Sequence, residues 1–260
     1  MSEYTKMVEH MECDLYCQLP PKQIVEHCMS MTLIDMKADG CDGPALEAGC
    51  GAVWMASHAR IFQYAPIVSG DYLTYRTFPR VIEGNRYIYY VEISRGDELV
   101  VRFDSSYIPV DKVGRHVLRL SQVEPLWKTP SRTAESRNLR RLRPDVEFTP
   151  CGSDTVRCSD CDSNGHMTSG AYFSLACDAL GLWESPTPRY IRMIQLDYSS
   201  EVRPGTLLEF SRGEVNGLQY LRGVKPDGTP AFTAAVIFVS NTSRLSPAPA
   251  AGYNGSGDRQ

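Results

Sequence analysis

The feature that most constrains this chain is an internal repeat. "FQYAPIVSGDYLTY" (Phe62 to Tyr75) lies over "LDYSSEVRPGTLLEF" (Leu196 to Phe210) at an offset of 134, which sets Tyr64 on Tyr198, Val68 on Val202 and Leu73 on Leu207. "FDSSYIPV" (Phe103 to Val110) lies over "FTAAVIFV" (Phe232 to Val239) at an offset of 129, and the smaller offset implies a shorter hairpin in the second copy. The matches come in the same order in both halves, so the chain reads as two similar units. At 260 residues it can bury a sizeable core, as one large domain or as two of about 130 residues each.

Each half opens with a helix signal. In the first, Pro20 and Pro21 suit a helix start, Ile24, Val25, Cys28, Met31 and Met36 follow at roughly helical spacing, and Gly40 suits the stop. In the second, Tyr172, Leu175, Ala176, Ala179 and Leu180 form an i, i+3, i+4, i+7, i+8 stripe. Thr168 or Ser169 is a natural cap at its start, and Gly181 fits the position past its end. Strand patterns follow each helix. "RYIYYVEIS" sets Tyr87, Tyr89, Val91 and Ile93 on one face, and "SRGDEL" and "KPDGTP" read as the turns of equivalent hairpins. Each half is thus an α+β unit, a helix packed on one face of an antiparallel sheet.

Composition excludes several classes. With 42% hydrophobic and 22% charged residues the chain is globular, and a net charge of −4 lacks the basic footprint of a nucleic-acid binder. No apolar run approaches the ~18 residues of a membrane span, and the acidic start, "MSEYTKMVEHMECDLY", has no signal-peptide core. Nine scattered cysteines without a secretory signal predict reduced thiols and a cytoplasmic protein. Charge is uneven: Lys128 to Arg143 holds six basic residues and one acid, Glu135. That run is either a solvated linker or a docking patch for an acidic partner, formed by Arg137, Arg140, Arg141 and Arg143. The tail, "SPAPAAGYNGSGDRQ", has no core pattern.

The chemistry concentrates in "VRCSDCDSNGHMTSGAYF", directly ahead of the second helix. Asp162, Asn164 and His166 bring a carboxylate, an amide and an imidazole into one loop; the plainer alternative is a polar turn before a helix cap. Cys158 and Cys161 form a CxxC, but no second pair completes a zinc site, and the βαβ setting of a redox motif is missing. No metal or cofactor is expected. His58 and His116 lack partner motifs and read as structural or exposed.

The loop resembles that of the acyl-acyl-carrier-protein thioesterases, in which Asp-x-Asn-x-His precedes the second helix of a tandem double hotdog. "IQLDYSSEVRPGTLLEF" resembles the family's following strand, whose Glu falls on Glu201, and "ASHARIFQYAPIVSGDYLTYRTF" resembles its first-half strand. The resemblance spans about residues 3 to 241. It implies a double hotdog with an acyl-binding N-terminal unit (1–127), a basic linker (128–147), a catalytic C-terminal unit (148–243) and a disordered tail (244–260). The implied activity is hydrolysis of fatty acyl-acyl-carrier-protein to free fatty acid in fatty acid biosynthesis. The partner is an acidic carrier bearing an acyl-phosphopantetheine, and there is room for a homodimer. An acyl-coenzyme A thioesterase of the same fold and a non-catalytic acyl-binding protein remain open alternatives.

Thioester hydrolysis sets its own demands. A thiolate leaves readily, since alkyl thiols ionise near pH ~8.5, so the hard parts are the base and the oxyanion site. Asp162 or Glu201 could serve as base or nucleophile, with Asn164 and His166 holding the water or moving a proton. The N–H groups at Thr168, Ser169 and Gly170 could polarise the carbonyl. At the repeat offset Glu201 meets apolar Ile67, which suits a first half that walls an acyl-chain tunnel. Cys28, Met29 and Met31 would supply its adaptable lining, unless they are ordinary core.

Overall fold

The computed structural model describes residues 2–123, 126, 139–184 and 189–240, with 79 and 80 by backbone alone. Arg137 and the tail lie outside the described residues, as does most of the basic run. Among the described residues, ten strands and three α-helices follow in chain order: β1 (Glu3–Met7), α1 (Pro21–Ala38), α2 (Gly43–Cys50), β2 (Ala52–Gln63), β3 (Tyr72–Glu83), β4 (Arg86–Arg95), β5 (Glu98–Asp111), β6 (Thr149–Thr155), α3 (Ser169–Ala179), β7 (Arg189–Tyr198), β8 (Leu207–Val215), β9 (Leu218–Val224) and β10 (Pro230–Ser240). The strands form one antiparallel sheet in the order β1-β3-β4-β5-β2-β7-β10-β9-β8-β6. Read from either edge inward, the two halves run in the same sequence and meet where β2 pairs with β7. This is an α+β fold, as the periodicity predicts.

The helix signals act as read. Pro20 caps α1 in extended conformation and Pro21 takes its first position, where a missing N–H costs nothing. Ile24, Val25, Cys28, Met31 and Met36 are all buried, and Gly40 turns the chain away at φ +74°. At α3 the Thr168 hydroxyl accepts the Ala171 N–H at 3.2 Å. Tyr172, Phe173 and Ala176 are buried along that helix, and Gly181 follows its end at φ +69°. The two helices pack on each other and share one hydrophobic core, continuous from Val8 to Val236.

Hydrogen bonding corrects the repeat offsets. Leu19 N–H donates to Ile67 O at 2.9 Å, and Met167 N–H donates to Val202 O at 2.9 Å. Ile67 therefore corresponds to Val202, an offset of 135 rather than 134, and Glu201 corresponds to Pro66, not Ile67. Across the sheet Ile61 pairs with Phe103 and Leu196 with Ala234, so Phe103 corresponds to Ala234 rather than Phe232. The second hairpin is the shorter one, as expected: β8 and β9 have 9 and 7 residues, against 12 and 10 for β3 and β4.

The sheet face away from the helices holds a second surprise. Tyr87, Tyr89, Val91 and Ile93 are buried on β4, but so are the intervening Ile88 and Tyr90, which pack with Val81 and Leu139. Leu139 belongs to the basic run, so the described part of that run is not a free linker. The Leu139 carbonyl accepts from Arg86 Nη1 at 2.7 Å, and the Arg140 carbonyl from Gln195 Nε2 at 2.7 Å. Leu142 N–H donates to buried Asp197 at 2.5 Å. The segment is pinned by its backbone, while the side chains of Arg140, Arg141 and Arg143 stay exposed. His58 is partly buried on the same face, paired across strands with Asp197, and burial pushes its imidazole pKa down. His116 is exposed. No described helix is long and apolar enough to cross a membrane.

Candidate active site

The loop from Arg157 to Thr168 is folded by its own side chains. Asp162 Oδ1 accepts the N–H groups of Asn164 (2.9 Å) and His166 (3.4 Å), and Oδ2 accepts from Asn164 Nδ2 at 3.0 Å. Asp162 N–H donates to His166 O (3.0 Å) and Gly165 N–H to Asp162 O (3.0 Å), with Gly165 at φ +73°. The result is a tight Asx-type hairpin that sets His166 two residues ahead of the α3 cap.

The first half contains the same loop. Asp14 Oδ1 accepts from Tyr16 N–H (2.8 Å) and Gln18 N–H (3.0 Å), Asp14 N–H donates to Gln18 O (2.8 Å), and Cys17 N–H donates to Asp14 O (3.0 Å). Cys17 adopts φ +58° where its counterpart is Gly165. Cys13 Sγ donates to Glu9 O and Cys161 Sγ to Arg157 O, each at 3.6 Å. Cys161 is therefore half of a repeated turn, and Cys158, its CxxC mate, is an exposed free thiol whose counterpart is His10. "CDLYCQ" at Cys13 is the counterpart of "CDSNGH", and the shared Cys-Asp pair is the sequence signal that joins them.

Two copies of one loop separate what the fold needs from what it does not. Both keep the aspartate and its backbone bonds. They differ at Tyr16 against Asn164, Gln18 against His166, and Pro66 against Glu201. The groups that could do chemistry are the ones confined to the second copy, and two of them meet there. His166 Nε2 stands 3.2 Å from Glu201 Oε2, though not yet aligned as a good hydrogen bond. The other carboxylate oxygen, Oε1, pairs with Arg115 Nη2, and Lys225 Nζ donates to the Glu201 carbonyl at 2.8 Å. Arg115 comes from the first half, from the turn after β5, and no local pattern marks it.

The start of α3 is more crowded than expected. Thr168 N–H is already bonded to Asp160 O at 2.8 Å and so is not available to a substrate. The Tyr198 ring packs edge-on against Tyr172 at 5.2 Å, with its buried hydroxyl making no hydrogen bond among the described residues. Gly170 faces Glu26 of α1 so closely that an added Cβ would lie 2.9 Å from Glu26 Oε1. Burial pushes the Glu26 carboxyl up, and a carboxylate beside a helix N-terminus competes with any bound oxyanion. Of the expected acyl-lining residues, Cys28 and Ile67 are fully buried in the core and Met29 is partly buried against it. Met31 lines a cavity of about 280 Å³ with Tyr4, His27, Ile34 and Tyr75. A larger cleft, about 490 Å³, lies along β6 and β8 and holds none of the candidate residues.

The sister loop supports one prediction on stability. Burial pushes the Asp14 carboxyl up, against the opposing pull of the Gln18 and Tyr16 N–H groups. A raised folded value means its stabilising form is the protonated one, fully present below the ordinary carboxylate range near ~3.9 and lost as pH rises. Asp14→Asn keeps the accepting oxygen and removes the buried charge. The variant is expected to melt above wild type at pH 7 and to converge with it toward pH 4 in thermal melts. A difference of the same size at both pH values would show that the charge is not the cause.

Residues 152–234 match the family model described as the acyl-ACP thioesterase C-terminal domain. A search of curated protein sequences finds no match. Among solved structures, an acyl-ACP thioesterase from Bacteroides thetaiotaomicron superposes with a TM-score of 0.77 at 17% identity, covering 92% of this chain and 97% of that one. The 12:0-ACP thioesterase from Umbellularia californica gives 0.75 at 13% identity, with 92% and 97% covered. Residues 152–234 thus carry a sequence match to the acyl-ACP thioesterase C-terminal domain, within a fold that this chain shares with these structures over nearly its whole length.

Proposed function

We propose that this protein is a tandem double hotdog, with units at 1–127 and 148–243, that hydrolyses fatty acyl-acyl-carrier-protein to free fatty acid and carrier protein. The observation that carries the proposal is the contact between His166 and Glu201, in a loop whose sister copy keeps the fold and lacks both residues. Glu201 accepts a hydrogen bond from His166 Nε2–H, which leaves Nδ1 as the unprotonated nitrogen. That nitrogen takes a proton from water while the water oxygen bonds to the thioester carbon. The tetrahedral oxyanion is met by the Asn164 amide and by the Ser169 and Gly170 N–H groups, since those of Thr168 and Ala171 are already bonded. Collapse breaks the C–S bond and expels the thiolate, which needs little help from an acid to leave and then takes up the proton held on His166 Nδ1, restoring the base. Asp162, with both oxygens engaged in its own loop, holds His166 and Asn164 in place. The test is free-acid release, followed by mass spectrometry, from matched acyl-carrier-protein and acyl-coenzyme A panels. Release from coenzyme A alone would make it an acyl-coenzyme A thioesterase; binding without release from either would make it an acyl-binding protein.

Carrier docking is separable from chemistry. Arg140, Arg141 and Arg143 are exposed on a segment whose backbone is fixed to the sheet, so reversing their charge leaves the segment's hydrogen bonds in place. For the double variant Arg140→Glu, Arg141→Glu, KM for a carrier-bound substrate is expected to rise about tenfold at low salt, with kcat unchanged. The difference should fade at high salt, where exposed charges are screened. An unchanged KM at low salt would place docking elsewhere.

A further inference from the structure

We infer that Arg115, supplied by the first half, is a positioning residue for chemistry carried by the second: it keeps Glu201 aimed at His166. The inference rests on the reading of His166 and Glu201 as the hydrolytic pair. The turn that presents Arg115 is built for a fixed shape. Asp111 Oδ1 accepts the N–H groups of Val113 (3.1 Å) and Gly114, Arg115 N–H donates to Asp111 O (3.0 Å), and Asp111 N–H donates to His116 O (2.9 Å). Lys112 N–H ties the turn to Gly51 O at 2.9 Å. At Gly114 a Cβ would come within 2.7 Å of the His116 ring, so the turn closes tightly on itself. Arg115 sits in the left-handed region at φ +54°, which a side chain disfavours. The strain is kept at the residue whose guanidinium crosses between the halves.

The two oxygens of Glu201 are divided between partners, Oε1 on Arg115 and Oε2 facing His166. A guanidinium on one oxygen fixes which way the other points. The sister half shows that the fold does not require this pair. There Arg95 Nη1 donates to the Pro66 carbonyl at 3.2 Å, as Lys225 does to the Glu201 carbonyl at 2.8 Å, but proline offers no carboxylate. The cation on the backbone is repeated, whereas the cation on the side chain belongs to the second copy alone. With Arg115 and Glu201 both partly exposed, their pairing contributes little to folding stability.

The test is a cycle on a carrier-bound substrate: wild type, Arg115→Ala, Glu201→Gln and the double variant, each with a thermal melt. Arg115→Ala is expected to lower kcat up to about 100-fold with KM nearly unchanged and the melt unmoved. Arg115→Lys should recover part of the loss. Because Arg115 acts through Glu201, the double variant should be no slower than Glu201→Gln. Multiplying losses in the double variant, or a loss confined to KM, would overturn the inference while leaving the hydrolase standing. A wild type that releases no acid removes the hydrolase reading itself, and this inference with it.

Discussion

His166→Gln is expected to leave the protein folded and to cut thioester turnover about 1,000-fold. The substitution copies the sister loop, in which Gln18 occupies the equivalent place. Gln18 makes the same two backbone bonds to its aspartate, 2.8 Å through its carbonyl and 3.0 Å through its N–H, as His166 makes to Asp162. The loop is therefore known to accept glutamine, and the melting temperature should hold within a few degrees. An amide cannot take a proton from water near neutral pH, so the base is lost without the geometry. Acid release from a carrier-bound substrate, read by mass spectrometry, checks the rate, and a melt checks the fold. If the variant kept a tenth of the rate or more, the base would lie elsewhere, with Asp162 the next residue to replace.

Glu201→Pro, which would copy Pro66, is a poorer probe because it also removes the N–H at that position. The contrast shows how unevenly the sequence displays this molecule. Both long helices were legible because their ends carry Pro20, Thr168 and Gly181, residues whose backbone preferences need no tertiary context. The candidate loop is legible because it is contiguous. The repeat register is one residue off at Tyr64 and two at Phe103 because sequence matching follows identity, whereas the sheet follows hydrogen bonds; a one-residue slip reverses which face each side chain takes. The sister loop was obscured because only its aspartate framework survives, with Tyr16 and Gln18 where the polar pattern has Asn164 and His166.

Arg115 illustrates the harder case. It lies 86 residues from Glu201 and reaches it only because β2 and β7 join the halves into one sheet. No window of sequence contains that pairing. The pinned basic run is intermediate: Leu139, an apolar residue among arginines, was visible, but its burial against Val81, Ile88 and Tyr90 depends on β4 being covered on both faces. The parts of the site that were illegible are thus those assembled across the two halves.

The largest loss of stability is expected at Phe232, which ties the β10 core to the start of α3. Its ring is 1% exposed and lies 5.5 Å from Tyr172 in an edge-on contact, with Phe210 on another side at 6.4 Å. Gly223 on the neighbouring strand makes the room: a Cβ there would meet the Phe232 ring at 2.2 Å. Phe232→Ala should cost about 3–5 kcal/mol, because the cavity is walled by β-sheet and rings that cannot collapse into it. In a chain of this size that lowers the melting temperature by roughly 10 °C. Phe232→Leu, which refills most of the volume, should lose less than half as much. The site should respond as well, since Tyr172 lies in the first turns of α3 and packs edge-on against both Phe232 and Tyr198. Assayed well below its melting point, Phe232→Ala is therefore expected to lose kcat more than KM, with Phe232→Leu between it and wild type. If stability fell while kcat stayed whole, the first turn of α3 would be held by its Thr168 cap and not by this aromatic stack.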